Sequence, residues 1–197
     1  MDNKILIVGA GGIGSWLAAN LYEAERHGQI PSNVSIFFAD HDTVEPDNLS
    51  YQNFELDDVL DYKTESISSR YGFGGISSKI ETTAELSGYT CIVSAVDNTI
   101  FRSMLFKYAD THPDTYWVDL RSEGRSIAAF CKHKSNDLES MLATIPKKVE
   151  NGSCQLQIDK DEGTIQNGNK IIGAIGAQLI LNYVRGDSNS ARFVATF

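Results

Sequence analysis

Short apolar runs alternate with segments of helical periodicity along the first part of the chain. Lys4 to Val8 form the first run, and residues 13–21 then place apolar side chains at spacings of three and four. Val34 to Ala39 form a second apolar run. The order strand, helix, strand predicts a βαβ unit whose two strands are parallel.

The rest of the chain continues this alternation. Residues 91–96 are almost all apolar, which is typical of a parallel strand buried on both faces. Residues 41–58 are polar and rich in turn formers, which favours an ordered loop or short helical turns. The further predicted helices cover 63–71, 100–109 and 171–184, and the further predicted strands cover 76–82, 116–120, 126–130 and 191–197, the last at a sheet edge. The predicted fold class is α/β, with a Rossmann-like, mostly parallel sheet and helices on both faces.

The chain length predicts one domain over 1–197. Residues 132–168 are polar and carry the weakest periodicity in the chain. Because a long stretch without regular structure is uncommon inside a compact domain, we expect 132–168 to be a mobile insertion or a crossover loop.

The charge and the apolar runs exclude several classes of function. A net charge of −9 repels phosphate backbones, so we expect no nucleic acid partner. No apolar run approaches the roughly 20 residues that span a bilayer, so we expect no membrane segment. The first residues show no signal-peptide pattern, and we expect a cytoplasmic protein.

The three cysteines, Cys91, Cys131 and Cys154, are widely spaced. An odd number of cysteines without a Cys-x-x-Cys pair predicts neither a disulfide framework nor a zinc site.

A glycine-rich turn connects the first strand to the first helix. Gly9, Gly11 and Gly14 form Gly-x-Gly-x-x-Gly, which permits a tight turn, the approach of a phosphate to the backbone and close packing of the helix on the strand. Phosphate then lies at the positive end of the helix. Asp40 ends the next strand, where a carboxylate can accept hydrogen bonds from ribose hydroxyls. The motif predicts nucleotide binding but does not choose between ATP and NAD, and a turn that serves packing alone is the alternative.

Three segments beyond the glycine turn carry motifs that dehydrogenases do not usually have. Residues 40–44 read Asp-x-Asp-x-Val, residues 48–52 read Asn-Leu-x-x-Gln, and residues 97–102 read Asp-Asn followed by an arginine four residues after the asparagine. With the glycine turn and Lys63, these motifs stand in the order found in the ubiquitin-activating (ThiF/MoeB/HesA-type) adenylyltransferases, which this sequence resembles. The resemblance covers roughly residues 4–131, and residues 171–184 are similar to the closing helix of that family.

The resemblance implies an activity and a set of site residues. The activity is attack of a substrate carboxylate on ATP, which gives an acyl-adenylate and pyrophosphate. The carboxylate is implied to be the C-terminus of a small ubiquitin-like or sulfur-carrier-like protein or of a peptide. The implied ATP-binding residues are Gly9, Gly11, Gly12, Gly14, Asp40, Asp42, Asn48, Gln52, Lys63, Asp97 and Asn98. Asp97 would also hold Mg²⁺ or orient the attacked α-phosphate during catalysis. Lys63 would contact phosphates during catalysis, and Cys154 is the candidate for a thioester-forming cysteine.

The implied roles have alternatives. Asp97 and Asn98 suit a helix cap as well as a ligand site. Lys63 could be a solvated surface residue and Asp42 a turn former. Cys154 could have no chemical role. Family resemblance further implies a homodimer, or a heterodimer with a related subunit.

One departure from the family pattern bears on activity. The family has an arginine that contacts phosphates where this chain has Tyr51. Loss of such a cation lowers the stabilisation of a transition state by about 3 kcal/mol. Arginine candidates to replace it are Arg70, Arg102, Arg121 and Arg125. The alternatives are therefore a degenerate nucleotide-binding or dimer-partner subunit, and an NAD-dependent oxidoreductase.

Overall fold

A computed structural model describes residues 3–145 and 165–197 of the chain. The strands are β1 (Asn3–Val8), β2 (Val34–Ala39), β3 (Gly74–Ile76), β4 (Cys91–Ser94), β5 (Tyr116–Glu123), β6 (Ser126–Cys131) and β7 (Arg192–Thr196). The α-helices are α1 (Gly12–Arg26), α2 (Lys63–Tyr71), α3 (Thr99–Thr111), α4 (Leu138–Ala143) and α5 (Gly168–Arg185). Short 3₁₀ helices cover Pro46–Ser50, Leu56–Asp58 and Thr83–Leu86.

The described strands form one seven-stranded sheet in the order β3-β2-β1-β4-β5-β6-β7. The five strands β3, β2, β1, β4 and β5 are parallel to one another. Strand β6 is antiparallel to both of its neighbours, β5 and β7. The strand order reverses at β1, because the chain moves from β1 outward to β3 and then returns to β4 on the other side. In open α/β sheets, ligands bind outside the carboxyl ends of the strands at this switch point.

Alternation along each strand gives the sheet two apolar faces. Ile5 and Ile7 of β1 pack on one face together with α1, α2 and α5. Leu6 and Val8 pack on the opposite face together with α3 and α4. Since both faces are covered, the central strands are fully buried, as expected for parallel strands. The predicted α/β fold class is confirmed.

Two predicted elements differ from the structure. The strand predicted over 76–82 is wrong in position, because β3 covers Gly74–Ile76 and pairs with β2. A Cβ on Gly74 would lie 2.3 Å from the ring of Phe37, so only glycine fits this register. Residues 138–143, inside the stretch expected to lack regular structure, form α4 with Asp137 as its N-cap.

The remaining elements agree with the sequence to within a few residues, and β7 is an edge strand as expected. No helix in the described ranges 3–145 and 165–197 has both the length and the apolar character needed to cross a bilayer.

Candidate functional site

The glycine turn is held in a conformation that excludes larger side chains. Gly9 has a φ of +101°, a value that favours glycine. A Cβ on Gly14 would lie 2.0 Å from the carbonyl oxygen of Gly9, so α1 can pack on the turn only with glycine here. Gly9 also donates its N–H to the carbonyl of Ala39 at 2.8 Å. The turn therefore lies close to the end of β2.

A cleft of about 740 Å³ opens above this turn, at the carboxyl ends of the central strands. The volume lies in the usual range for small-molecule sites. Ten of the residues predicted to bind ATP line the cleft: Gly9, Gly11, Gly12, Asp40, Asp42, Asn48, Gln52, Lys63, Asp97 and Asn98. Gly14 is not part of the lining, and its structural contact is with Gly9.

Asp40 connects the glycine turn to the segment after β2. Its Oδ2 accepts the N–H of Ala10 at 2.7 Å, and its Oδ1 accepts the N–H of Asp42 at 3.0 Å. The carboxylate side chain is only 11% exposed. Two backbone donors therefore fix its orientation, and the remaining lone pairs are available to a ligand in the cleft.

Lys63 is the first residue of α2 and is buried, with 7% of its surface exposed. Its Nζ donates to Oδ2 of Asp42 at 3.1 Å. A buried ammonium with one half-exposed carboxylate partner retains donor capacity for a second anion, since it has three protons. The solvated-surface alternative for Lys63 does not fit this burial.

The 3₁₀ helix over Pro46–Ser50 positions Asn48 and Gln52 at the cleft. Oδ1 of Asn48 accepts the N–H of Glu45 at 3.0 Å, and Asn48 Nδ2 donates to the hydroxyl of Tyr51 at 3.4 Å. The N–H of Gln52 donates to the carbonyl of Asn48 at 2.8 Å. Trp16 of α1 donates its indole N–H to the carbonyl of Tyr51 at 3.2 Å. This contact ties α1 to the segment that carries both amides.

Asp97 and Asn98 follow β4 and have different surroundings. Oδ1 of Asn98 accepts the N–H groups of Ile100 and Phe101 at 2.8 and 3.3 Å, so Asn98 caps α3. Asp97 is exposed and lines the cleft. An exposed carboxylate oxygen is the kind of ligand that Mg²⁺ prefers.

A further acidic group lines the same cleft. Asp40, His41 and Asp42 bring one ligand atom each within 4.8 Å of one another. Both carboxylates already accept hydrogen bonds, from Ala10 and from Lys63.

Three of the four arginines considered as replacements for the missing cation have partners elsewhere. Arg70 contacts Asp58. Arg102 and Arg121 both contact the buried carboxylate of Asp119, at 3.0 and 2.7 Å. Among the described residues, the cleft lining contains lysine but no arginine. Arg125, the fourth candidate, is therefore not part of the lining either.

Lys79 is a cleft residue that the sequence did not single out. It lies beyond the end of β3, and its Nζ is 3.6 Å from the carboxylate of Glu81. The strand predicted over 76–82 concealed this role of Lys79, because a residue in the middle of a strand lies inside the sheet and not beyond its carboxyl end. A polar Ser-Ser-Lys run directly after a short strand was the available signal.

The cysteines do not contribute to the cleft in the described part of the chain. Burial raises the pKa of the Cys91 thiol, which disfavours the reactive thiolate. Burial raises the pKa of the Cys131 thiol as well. Cys154 lies outside the described residues.

The sequence profile of the ThiF family matches residues 1–197. No protein in the curated collection of sequences matches.

Solved structures show the same fold. One titled as Escherichia coli MccB with ATP has a TM-score of 0.67 and 17% identity, and the match covers 100% of this chain and 61% of that one. Another, titled as MccB with SeMet MccA, has a TM-score of 0.71 and 17% identity, with 100% and 61% covered. A third, described as the microcin C7 biosynthetic enzyme MccB in complex with N-formylated MccA, has a TM-score of 0.66 and 16% identity, with 100% and 62% covered. This chain thus spans about three fifths of the length of these proteins.

Proposed function

The chain belongs to the ThiF family, and from this premise we propose that it adenylates a carboxylate of a peptide or small protein with Mg·ATP. One observation carries the proposal: one cleft is lined by the glycine turn, Asp40, Lys63 and Asp97. These residues are far apart in sequence, and only the reversal of strand order brings them together.

Adenosine would lie on the Asp40 side of the cleft. The carboxylate of Asp40, fixed by two backbone N–H groups, would accept hydrogen bonds from the ribose hydroxyls. The α-phosphate would then lie at the N-terminus of α1, where the N-cap residue Gly11 provides no side-chain cap. Unsatisfied N–H groups at that end favour an anion.

The reaction would exchange one bond at the α-phosphorus for another. An acceptor carboxylate oxygen attacks the α-phosphorus, and the bond from that phosphorus to the bridging oxygen breaks. Pyrophosphate takes the electron pair and leaves. Lys63 would hold the negative charge that develops on it, and Mg²⁺ held by Asp97 would supply further charge neutralisation.

The structural relatives support a peptide acceptor. Those structures hold MccB with ATP and MccB with MccA. The fold shared with this chain makes the same pair of ligands the first to test.

Tyr51 favours one alternative function. The cleft lining in the described ranges has no arginine, and Tyr51 lies where the resemblance implies one. A subunit that binds nucleotide and obtains its missing cation from a dimer partner would fit this composition. Such a subunit would bind ATP but would release pyrophosphate only with the partner present.

Calorimetric titration with Mg·ATP, and with NAD as the comparison, tests the nucleotide. We expect ATP to bind and NAD to bind at least about tenfold more weakly, since the motifs after β2 and β4 are those of ATP enzymes. Preference for NAD would contradict the proposal and favour an oxidoreductase.

Exchange of labelled pyrophosphate into ATP tests the chemistry. The acceptor is supplied as a mixture of N-acetylated tripeptides with randomised residues and free C-terminal carboxylates. Asp97→Asn should lower exchange by about a hundredfold or more, because it removes a charged ligand from the site of the developing charge. Asp187→Asn, at an exposed carboxylate after α5, is the matched control and should leave exchange unchanged. Equal exchange in both variants would rule out a role for Asp97.

A further inference from the structure

A fully buried carboxylate lies on the face of the sheet that α3 and α4 cover. Asp119 of β5 has 0% of its surface exposed. Trp117, two residues earlier on the same face, packs among apolar side chains of both helices. An ionised group in such surroundings needs partners, and two arginines supply them. Arg102 donates from Nε to Oδ1 at 3.0 Å, and Arg121 donates from Nε to Oδ2 at 2.7 Å.

Stability alone does not account for this cluster of three charges. Their removal from water costs free energy that their mutual attraction only partly returns. Apolar side chains of similar size often replace such a buried cluster without loss of stability. The side chains packed on this face include Leu105, Trp117 and Met141, so an apolar residue at position 119 would have apolar neighbours. The cluster is better explained by what its arginines hold in place.

Arg102 connects the cluster to the rim of the cleft. Besides its contact with Asp119, its guanidinium donates from Nη2 to the carbonyl of Val96. Val96 lines the cleft and directly precedes Asp97. Arg102 is only 7% exposed, and its planar fork is held by two acceptors at once. The carbonyl of Val96 therefore has little freedom to turn.

The backbone is fixed on the other side of Asp97 as well. Oδ1 of Asn98 accepts the N–H groups of Ile100 and Phe101 at 2.8 and 3.3 Å. The backbone N–H of Arg102 donates to the carbonyl of Asn98 at 3.3 Å. Arg102 thus contacts the carbonyls on both sides of Asp97, one through its side chain and one through its backbone.

Arg121 holds the second oxygen of Asp119 in place. Its Nη1 and Nη2 donate to the carbonyl and the hydroxyl of Thr144 at 2.6 and 2.9 Å. Its guanidinium carbon also lies 4.5 Å from the ring centre of Phe130. Because one oxygen of Asp119 is anchored in this way, the other faces Arg102 in a constant direction.

We infer that Asp119 is a positioning residue for Asp97, and that it acts through Arg102 and the carbonyl of Val96. The inference rests on the proposed function, in which Asp97 holds Mg²⁺. It adds the part of the core that sets the direction of this carboxylate. Groups that orient a metal ligand commonly contribute about tenfold to a hundredfold to metal affinity.

Replacement of the whole cluster by apolar side chains tests the inference without leaving a buried charge. The variant Arg102→Met/Asp119→Leu/Arg121→Met should fold, with a melting temperature close to that of wild type. Calorimetry then measures the Kd for ATP with Mg²⁺ and with EDTA. We expect the Kd in EDTA to change less than about twofold, and the gain in affinity from Mg²⁺ to fall by about tenfold or more.

Arg26→Met is the matched control. It changes the net charge by the same amount as the triple variant, but at an exposed ion pair with Glu23. It should keep the full gain in affinity from Mg²⁺.

Arg102→Lys provides a second variant that keeps a positive charge beside Asp119. Lysine presents one ammonium in place of a planar fork, so it cannot hold Asp119 and the carbonyl of Val96 in the arginine geometry. It should also lose most of the gain from Mg²⁺ while its Kd in EDTA stays unchanged. If the triple variant does not fold, this variant decides.

Asp97→Asn is the reference and should lose the gain from Mg²⁺. Retention of the gain in each cluster variant that folds, with its loss in Asp97→Asn, would overturn the positioning role and leave the proposed function intact. Wild-type protein that gains nothing from Mg²⁺, or an Asp97→Asn variant that keeps the gain, would contradict the metal role of Asp97 in the proposed function, and the positioning role with it.

Discussion

Both oxygens of the Asp40 carboxylate combine a structural contact with a free lone pair. Each oxygen accepts one backbone N–H, from Ala10 and from Asp42, and each keeps a lone pair toward the cleft. The same side chain thus shapes the glycine turn and, in the proposed function, would offer acceptors to a ribose. A neutral amide of the same size can accept at only one of the two atoms.

Asp40→Asn should therefore weaken ATP binding by about tenfold to a hundredfold, the usual range for losing a hydrogen bond to a charged group. Calorimetry measures the change. Asp47→Asn, at an exposed position in the nearby 3₁₀ helix, is the matched control and should bind ATP as wild type does. Equal affinities for all three proteins would remove Asp40 from the nucleotide site.

Tyr51 lines the cleft at the position where the resemblance to the family implies an arginine. Tyr51→Arg should restore a cation near the proposed phosphate position and raise the rate of pyrophosphate exchange by about tenfold. Tyr51→Phe keeps the ring and removes the hydroxyl that Asn48 contacts, so it controls for the loss of tyrosine alone. If the arginine variant is no faster than the phenylalanine variant, the missing cation does not limit this protein.

At the residue scale, the sequence predicted the members of the cleft better than their surroundings. The glycines, Asp40 and Asp97 belong to motifs with fixed spacing, and such motifs can be read without a structure. Lys79 belongs to no motif, and its place in the cleft depends on where β3 ends. The position of Asn169 against Gly12 depends on the packing of α5 against α1, which no local pattern encodes.

At the scale of elements, two glycines of the turn between β1 and α1 have different surroundings, one in the packed fold and one at the cleft. A Cβ on Gly14 would collide with the backbone of Gly9, whereas a Cβ on Gly11 would meet nothing closer than 3.8 Å. The φ of Gly11 is −79°, outside the left-handed region that favours glycine. The two positions therefore differ in what an added methyl group disturbs.

Gly14→Ala should lower the melting temperature by roughly 6 °C or more, because overpacking against a rigid backbone costs about 3 kcal/mol. Gly11→Ala should melt close to the wild-type temperature but bind ATP more weakly, because its methyl group enters the cleft. Differential scanning calorimetry and ATP titration measure both properties. Loss of stability in Gly11→Ala, or none in Gly14→Ala, would contradict this division.

Asn98 offers a test of a helix cap. Asn98→Ala removes the acceptor for two N–H groups of α3 and should cost about 1 kcal/mol, or roughly 2–4 °C of melting temperature. Asn98→Ser, which can also cap, should recover most of that loss. An alanine variant as stable as wild type would show that water satisfies these groups equally well.

The elements that the sequence misplaced have identifiable reasons. The apolar and β-branched residues from Ile76 onward suggested a strand, but β2 pairs with Gly74–Ile76 instead, where Phe37 leaves no room for a side chain. α4 has only six residues, too few to produce a helical period in a polar stretch. Pairing register and short capped helices are set by tertiary contacts.

At the scale of the whole molecule, a buried ionic cluster joins the layers. Asp119 of β5 is fully buried and contacts Arg102 of α3 and Arg121. Arg102 also donates to the carbonyl of Val96, next to Asp97, and Arg121 donates to Thr144, just after α4. The sheet, both helices of one face and the rim of the cleft therefore meet at one carboxylate.

Arg102→Met should destabilise the fold by about 3–5 kcal/mol, because it leaves part of a buried charge without a partner. Thermal and urea unfolding measure the change. Arg26→Met, which breaks an exposed ion pair with Glu23, is the control and should cost no more than about 1 kcal/mol. Similar stabilities for the two variants would mean that Arg121 alone compensates Asp119.

The fold class was predictable because apolar periodicity determines which face of each element is buried, and both faces of this sheet are covered. Quaternary structure has no comparable pattern. The expected homodimer or heterodimer stays a prediction, which analytical ultracentrifugation of the purified chain would test.

The contact of Trp16 with the carbonyl of Tyr51 also equips the protein with an optical reporter. Its half-buried indole lies between the loop that carries Gln52 and the ammonium of Lys170, 4.6 Å from the ring centre. The other tryptophan, Trp117, is buried beside Phe106 on the opposite face of the sheet. With Trp117→Phe, the emission spectrum would follow a single indole that contacts Tyr51, a residue of the cleft lining. Stopped-flow fluorescence could then time the arrival of each ligand without any attached dye.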